Sequence, residues 1–68
     1  MATLRRESRE VPTGARVVAL DEPPRFPATI VQALAQAVDQ VRKYGRPVYI
    51  LDRPTETGKR ACLAVVEP

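Results

Sequence analysis

The sequence contains no histidine, no tryptophan and a single cysteine, Cys62, among its 68 residues. One cysteine excludes an internal disulfide, and without histidine the chain has too few ligands for a zinc site. The same absence removes the usual general base and the Ser–His pair of nucleophilic catalysis. The only serine is Ser8, and the carboxylates show no paired spacing. We therefore predict a protein that is not an enzyme, with no catalytic residue, metal or cofactor.

Long apolar runs are also absent. The longest are far shorter than the roughly 20 residues that a membrane span requires. No apolar segment follows the arginines of the first ten residues, so the N-terminus does not read as a secretory signal. We expect a cytoplasmic protein with no membrane contact. The aromatic residues, Phe26, Tyr44 and Tyr49, are too few for a base-stacking sheet face, which disfavours a binder of single strands.

The length allows one small domain. Burial of its apolar surface stabilises the fold by about 100 kcal/mol. Ordering the chain costs about 100 kcal/mol as well. Because the two terms cancel, and because disulfides and metals are excluded, we expect a second copy to supply the missing stability. The sequence thus predicts a homodimer that buries one face or edge of its sheet.

The chain divides into a polar arm and a folded domain. Residues 1–15 alternate charges and contain Pro12 and Gly14, which predicts a flexible basic arm. Residues 16–68 form the single α+β domain. Its first strand covers 17–20, and a stiff connector with three prolines follows over 21–27.

The clearest element is an amphipathic helix from about residue 30 to residue 44. Thr29 and Gln32 have the spacing of a capping box, and Gly45 suits the residue after a helix. Apolar residues recur at the helical period on one face. This pattern predicts that the helix packs on the sheet through Leu34, Val38 and Val41.

After Gly45 the apolar pattern becomes that of strands. Residues 47–51 and 60–66 are rich in β-branched residues, and the polar loop 52–59 joins them as a hairpin. The predicted fold is therefore β-α-β-β, with one helix packed on a small sheet that includes the C-terminal hairpin. Ile50, Leu63 and Val65 complete the predicted core, and Cys62 is expected to be protected inside its strand.

The segment from the helix onward resembles the N-terminal domain of the prevent-host-death (Phd/YefM) antitoxins. The likeness covers residues 29–66 and, as the first strand, 17–20. Leu34, Val38 and Val41 match the helix seam of that family, and Gly45-Arg46-Pro47-Val48 matches its Gly-x-Pro-Val step. The resemblance implies a dimerising, DNA-binding domain in transcription regulation and a toxin–antitoxin system. The toxin-neutralising segment of the family would follow the last strand.

The charge pattern agrees with a partner rich in phosphate. The net charge is +3, and nine of the eleven basic residues are arginine, whose planar fork suits phosphate. We expect phosphate contacts in three places: on the arm, near the helix entrance and on the hairpin loop. These candidates are Arg5, Arg6, Arg9, Arg25, Arg53, Lys59 and Arg60. Arg25 is preferred, because a helix N-terminus offers free backbone N–H groups to an anion.

A second hypothesis stays open at this point. A small α+β chain without catalytic groups can also be a protein–protein interaction module, or an accessory subunit that adds an exposed strand to its partner. That partner would be a toxin or a larger subunit. Salt separates the two hypotheses, because phosphate-dominated binding weakens steeply with salt and an apolar strand interface does not.

Overall fold

The computed structural model describes residues 3–5, 11–23 and 25–68. It confirms a small α+β domain with one helix on a sheet. The elements in chain order are β1 (Thr3–Arg5), β2 (Arg16–Ala19), α1 (Ile30–Tyr44), β3 (Val48–Leu51) and β4 (Cys62–Glu67). The predicted β-α-β-β order is that of β2, α1, β3 and β4. The three predicted strands differ from the observed ones by one or two residues at their ends.

The strands form one four-stranded sheet in the order β1-β4-β3-β2. β2 and β3 are parallel, so α1 is the crossover between them, and β3 and β4 form the predicted antiparallel hairpin. β1 pairs antiparallel with β4. The sequence analysis assigned residues 3–5 to a flexible arm outside the sheet, and the structure corrects this point. A segment of three residues with one apolar side chain is too short to show the alternating pattern of a strand. It becomes a strand by pairing with the otherwise unpaired edge of β4, which the sequence pattern does not show.

The bounds of α1 follow from its caps. The Thr29 hydroxyl accepts a hydrogen bond from the backbone N–H of Gln32 at 3.2 Å, as predicted. The Gln32 side chain in turn accepts from the N–H of Ala28 at 2.8 Å, one residue before the cap. Gly45 has φ 68° and donates its N–H to Val41 O at 2.8 Å, which ends the helix in the left-handed conformation that glycine allows.

The core lies between α1 and one face of the sheet. Its buried members are Val18, Leu20, Ala33, Ala37, Val41, Val48, Ile50, Ala64 and Val66. Ala33 and Ala37 are completely buried, so small side chains rather than large ones form the contact line of the helix. Leu34, Val38 and Leu63 were predicted to be largely buried; they pack against the core as expected but are only half-buried. The prediction was right for Val41, Ile50 and Val65, which are buried.

The opposite face of the sheet carries no helix in the part of the chain that the structure describes. We call it the outer face. The register aligns Val17 with Tyr49 and Val65, and Ala19 with Leu51 and Cys62. Val65 is buried, whereas most of the other residues are half-buried and Val17 is 42% exposed. The half-buried Cys62 donates its thiol hydrogen to Ala64 O at 3.6 Å. Three adjacent strands thus present a continuous apolar face.

Candidate phosphate-binding surfaces

Arg60, one of the predicted phosphate contacts, joins the ends of the two parallel strands. Its Nη1 donates to Leu20 O at 3.0 Å and to Asp52 O at 2.9 Å. Leu20 follows β2 and Asp52 follows β3, so one guanidinium bridges the two loops that leave the sheet there. Its Nη2 forms an ion pair with Glu22, and the Arg60 side chain is only 19% exposed. The residue is therefore bound on two sides by its own chain.

Arg53 makes a second bridge in the same region. Its Nε forms an ion pair with Asp21, and its Nη2 donates to Ala28 O just before the helix. Both side chains of the pair are half exposed, so the pair is screened by water. We call Arg53, Arg60, Asp21 and Glu22 the loop clasp. A phosphate group that approaches either arginine of the clasp competes with the carboxylate already paired with it.

Arg25 and Lys59 lie at the same end of the sheet as the loop clasp, and both are exposed. Arg25 lines a small cleft with Pro27 and Gln36. It precedes Phe26, which has φ 46°, a conformation that non-glycine residues rarely adopt. Arg25 therefore lies in the connector beside Gln36, which is in the second turn of α1, and its predicted phosphate contact stays a prediction.

Of the three candidates on the N-terminal arm, the structure describes only the backbone of Arg5. Arg5 ends β1 and is paired in register with Val65. Arg6 and Arg9 lie outside the described residues. Their predicted phosphate contacts therefore rest on sequence alone.

A second group of cations lies at the opposite end of the strands, where α1 ends and the parallel strands begin. The guanidinium carbon of Arg16 lies 3.6 Å from the centroid of the Tyr44 ring, which is the geometry of a cation–π contact. Lys43 Nζ lies 5.6 Å from the same centroid. Arg46 follows in the turn before β3. We call Arg16, Lys43 and Arg46, with the Tyr44 ring between the first two, the basic end.

Sequence reasoning missed the basic end because its members lie on three different elements. Arg16 begins β2, Lys43 is in the last turn of α1, and Arg46 precedes β3. Parallel pairing aligns Arg16 with Val48, two residues after Arg46. The signal was present in the β-α-β order, since the starts of two parallel strands share one edge of a sheet.

Arg16 and Arg46 both line a surface groove, which we call the Arg16–Arg46 groove. Its walls are the turn of residues 12–15 on one side and Pro47 with Tyr49 on the other. The turn is closed by a hydrogen bond from the N–H of Ala15 to Pro12 O at 3.1 Å. The groove is concave, is lined by two arginines and opens to solvent through exposed residues.

The two ends of the parallel strands differ in whether their positive charges are paired with acidic side chains. Ion pairs between described residues form in the loop clasp, where Arg53 pairs with Asp21 and Arg60 with Glu22. No described acidic side chain is in ion-pair contact with Arg16, Lys43 or Arg46. The basic end thus holds three cations outside any ion pair between described residues, while the acidic Glu67 lies at the same end of the sheet, at the end of β4.

Other kinds of site find little support in the described residues. They contain no group of three or more His, Cys, Asp or Glu residues that could hold a metal ion. The one helix that they form is too short to cross a membrane.

Comparisons with protein-family models, with curated proteins and with solved structures found no match to this chain. Its function is therefore argued from the geometry described above.

Proposed function

We propose that this protein is a small, non-catalytic regulatory domain of the antitoxin type, which binds the phosphates of duplex DNA as a homodimer in the cytoplasm. The observation that supports this proposal is the basic end. Arg16 comes together there with Lys43 and Arg46, which lie far from it in sequence, and none of the three forms an ion pair with a described acid. In a protein with a small net charge, this grouping of cations concentrates the positive potential at one end of the sheet.

The chemistry of the basic end suits phosphate oxygens. Two of its three cations are arginines, which donate two parallel N–H groups to one anion. Most contacts between proteins and DNA go to phosphate and sugar, and they position the protein on the duplex without reading its sequence. The basic end is therefore a positioning surface, and base recognition requires further contacts.

The outer face supports the homodimer. Val17, Tyr49 and Leu51 lie on it beside Val65, and the described part of the chain covers it with no helix. An apolar sheet face that is exposed in a monomer is stabilised when a second sheet packs against it. A dimer also doubles the number of basic ends, and with it the number of phosphates that one assembly neutralises.

A second candidate function is favoured by a different surface. An entirely apolar groove lies between the flank of α1 and the sheet, lined by Ile30, Val31, Leu34, Ile50 and Ala64. Ile30 is 51% and Val31 72% exposed. A groove of this kind fits an apolar protein segment. The alternative is therefore a protein-interaction module without nucleic-acid binding.

Duplex titration at two salt concentrations decides between these functions. A fluorescently labelled duplex of mixed sequence is titrated with the full chain at about 50 and about 200 mM salt, and anisotropy is measured. The proposal predicts binding at the lower concentration and an affinity loss of roughly a thousandfold at the higher one, if a dimer neutralises about six phosphates. A chain that binds no duplex at the lower concentration is not a DNA-binding domain, and the interaction module then takes precedence.

A further inference from the structure

We propose that the Arg16–Arg46 groove binds a single phosphodiester group, held between its two guanidinium groups. This inference rests on the proposed function and makes it specific, because it assigns one defined pocket to one phosphate. The sequence-predicted contacts at the loop clasp and on the arm are not part of it. The ligand chemistry is a tetrahedral phosphate with two free oxygens.

The argument begins with the placement of the two arginines. Arg16 is the first residue of β2, and Arg46 lies in the turn between α1 and β3. Both line the same concave surface although they come from opposite ends of the helical crossover. Parallel pairing places Arg16 opposite Val48, two residues after Arg46. The sheet therefore brings the backbones of the two arginines near each other before a ligand binds.

The Tyr44 contact orients Arg16. Its guanidinium carbon stacks 3.6 Å from the ring centroid, which restricts the side chain without using its N–H donors. A stacked guanidinium keeps its edge free to donate to oxygen. An orientation that exists before binding reduces the entropy cost of ordering the side chain when the ligand arrives. Lys43, on the same ring, adds positive charge beside the groove.

The shape and charge of the groove favour phosphate over carboxylate. One arginine satisfies both oxygens of a carboxylate in a single plane, so a second one adds little. A phosphate directs its oxygens tetrahedrally and can use donors from two directions. Pro12, Gly14 and Pro47 in the walls are exposed. The groove is therefore accessible to a phosphate within a continuous backbone as well as to a free one.

The test locates binding and separates the two sources of phosphate. Amide chemical shifts of the full chain are followed by NMR during titration with dimethyl phosphate, which mimics the backbone diester, and with inorganic phosphate. Ionic strength is held constant with sodium chloride. Dimethyl phosphate is expected to shift the amides of Gly14, Arg16 and Arg46 along one saturating curve. Shifts confined to the start of α1, or shifts with inorganic phosphate alone, would overturn the assignment to a backbone phosphate.

Three variants complete the test. Arg46→Gln removes an exposed groove cation that forms no ion pair with a described residue, so the fold should be kept, and we expect about tenfold weaker dimethyl phosphate binding. Arg16→Lys keeps the charge but loses the planar fork, and a clear loss of affinity is expected here too. Arg42→Gln is the matched control: it removes an exposed arginine of the same helix end that does not line the groove, and it should leave binding unchanged. Equal losses in Arg42→Gln and Arg46→Gln would show a general charge effect and contradict the pocket.

The two proposals can fail separately. If wild-type protein binds duplex DNA and Arg46→Gln binds it equally well, the groove assignment is wrong and the DNA-binding function stands. If the groove saturates with dimethyl phosphate while no duplex is bound, the pocket stands and the DNA-binding function is wrong.

Discussion

Arginine serves two purposes in this chain, and the partners of each side chain decide which one. Arg60 and Arg53 spend their donors on backbone carbonyls and on the carboxylates Glu22 and Asp21. Arg16 and Arg46 face solvent at the opposite edge of the sheet without an acidic partner among the described residues. The first pair holds loops together, and the second pair is available to a ligand.

The first prediction concerns the loop clasp. Arg60→Ala should lower the free energy of unfolding by about 1–3 kcal/mol, because two carbonyls and one carboxylate lose a charged donor in a partly buried place. Arg53→Ala should cost at most about 1 kcal/mol, since its ion pair is half exposed. Urea denaturation followed by circular dichroism measures both values. A larger loss for Arg53→Ala than for Arg60→Ala would contradict this account of the clasp.

The second prediction concerns Arg25, the preferred phosphate contact from the sequence. Arg25→Ala should weaken duplex binding to about the same extent for every sequence and reduce the salt slope by about one unit. The measurement is duplex anisotropy over a series of salt concentrations. Lys59→Ala is a useful comparison, because Lys59 is an exposed cation at the same edge. Unchanged affinity and slope in Arg25→Ala would remove this residue from the interface.

At the scale of elements, the caps made α1 predictable. Thr29 and Gly45 act within a few residues of themselves, so the sequence alone predicts the helix from 30 to 44, and the structure has the same bounds. The buried face was harder to predict. Ala33 and Ala37 face the sheet because small residues allow the helix to lie close to it, and that closeness depends on residues elsewhere in the chain.

The same distinction between local and distant information explains the candidate site. The loop 52–59 was recognised as a polar turn from its own residues, but the carboxylate partners of Arg53 and Arg60 lie more than thirty positions away in the connector after β2. The groove depends on which strands are neighbours, since Arg16 and Arg46 meet only because β2 pairs parallel with β3. Sequence period identifies strands and does not specify their neighbours.

The third prediction tests how α1 sits on the sheet. Ile50 is completely buried beneath the helix, whereas Leu34 is half-buried at its margin. Ile50→Ala should therefore cost about 2–5 kcal/mol, the usual range for a buried aliphatic residue. Leu34→Ala should cost clearly less. Urea denaturation of both variants checks the order, and a larger cost for Leu34→Ala would mean that the larger residues of the helix, not its alanines, face the core.

At the scale of the whole molecule, the small sheet has two apolar faces, and the described part of the chain provides one helix to cover them. The helix covers the face that contains Val48, Ile50 and Val66, and the outer face carries Val17, Tyr49 and Leu51. A chain of this length has little stability in reserve. A second copy that packs on the outer face buries additional apolar surface and thereby stabilises the fold.

The fourth prediction follows from that arrangement. Val17→Lys places a charge on the outer face and should shift the protein toward monomer in sedimentation, with a lower melting temperature that depends less on concentration than that of the wild-type dimer. Val31→Lys is the matched control, because Val31 is 72% exposed on the helix flank and away from the outer face. Dissociation by Val31→Lys and not by Val17→Lys would place the dimer interface on the helix flank. A wild-type monomer at micromolar concentration would remove the dimer from the account.

The salt dependence of duplex binding tests the central claim most directly. The association constant of the wild-type protein for a labelled duplex is measured by anisotropy over a series of salt concentrations, and its logarithm is plotted against that of the salt. If both basic ends of a dimer contact DNA, about six phosphates are neutralised, and log K should fall with a slope of about −5. Double substitution of Arg16 and Arg46 with glutamine should make this slope much shallower. Absence of duplex binding at low salt, or a wild-type slope near zero, would contradict the claim that this protein binds DNA through its phosphates.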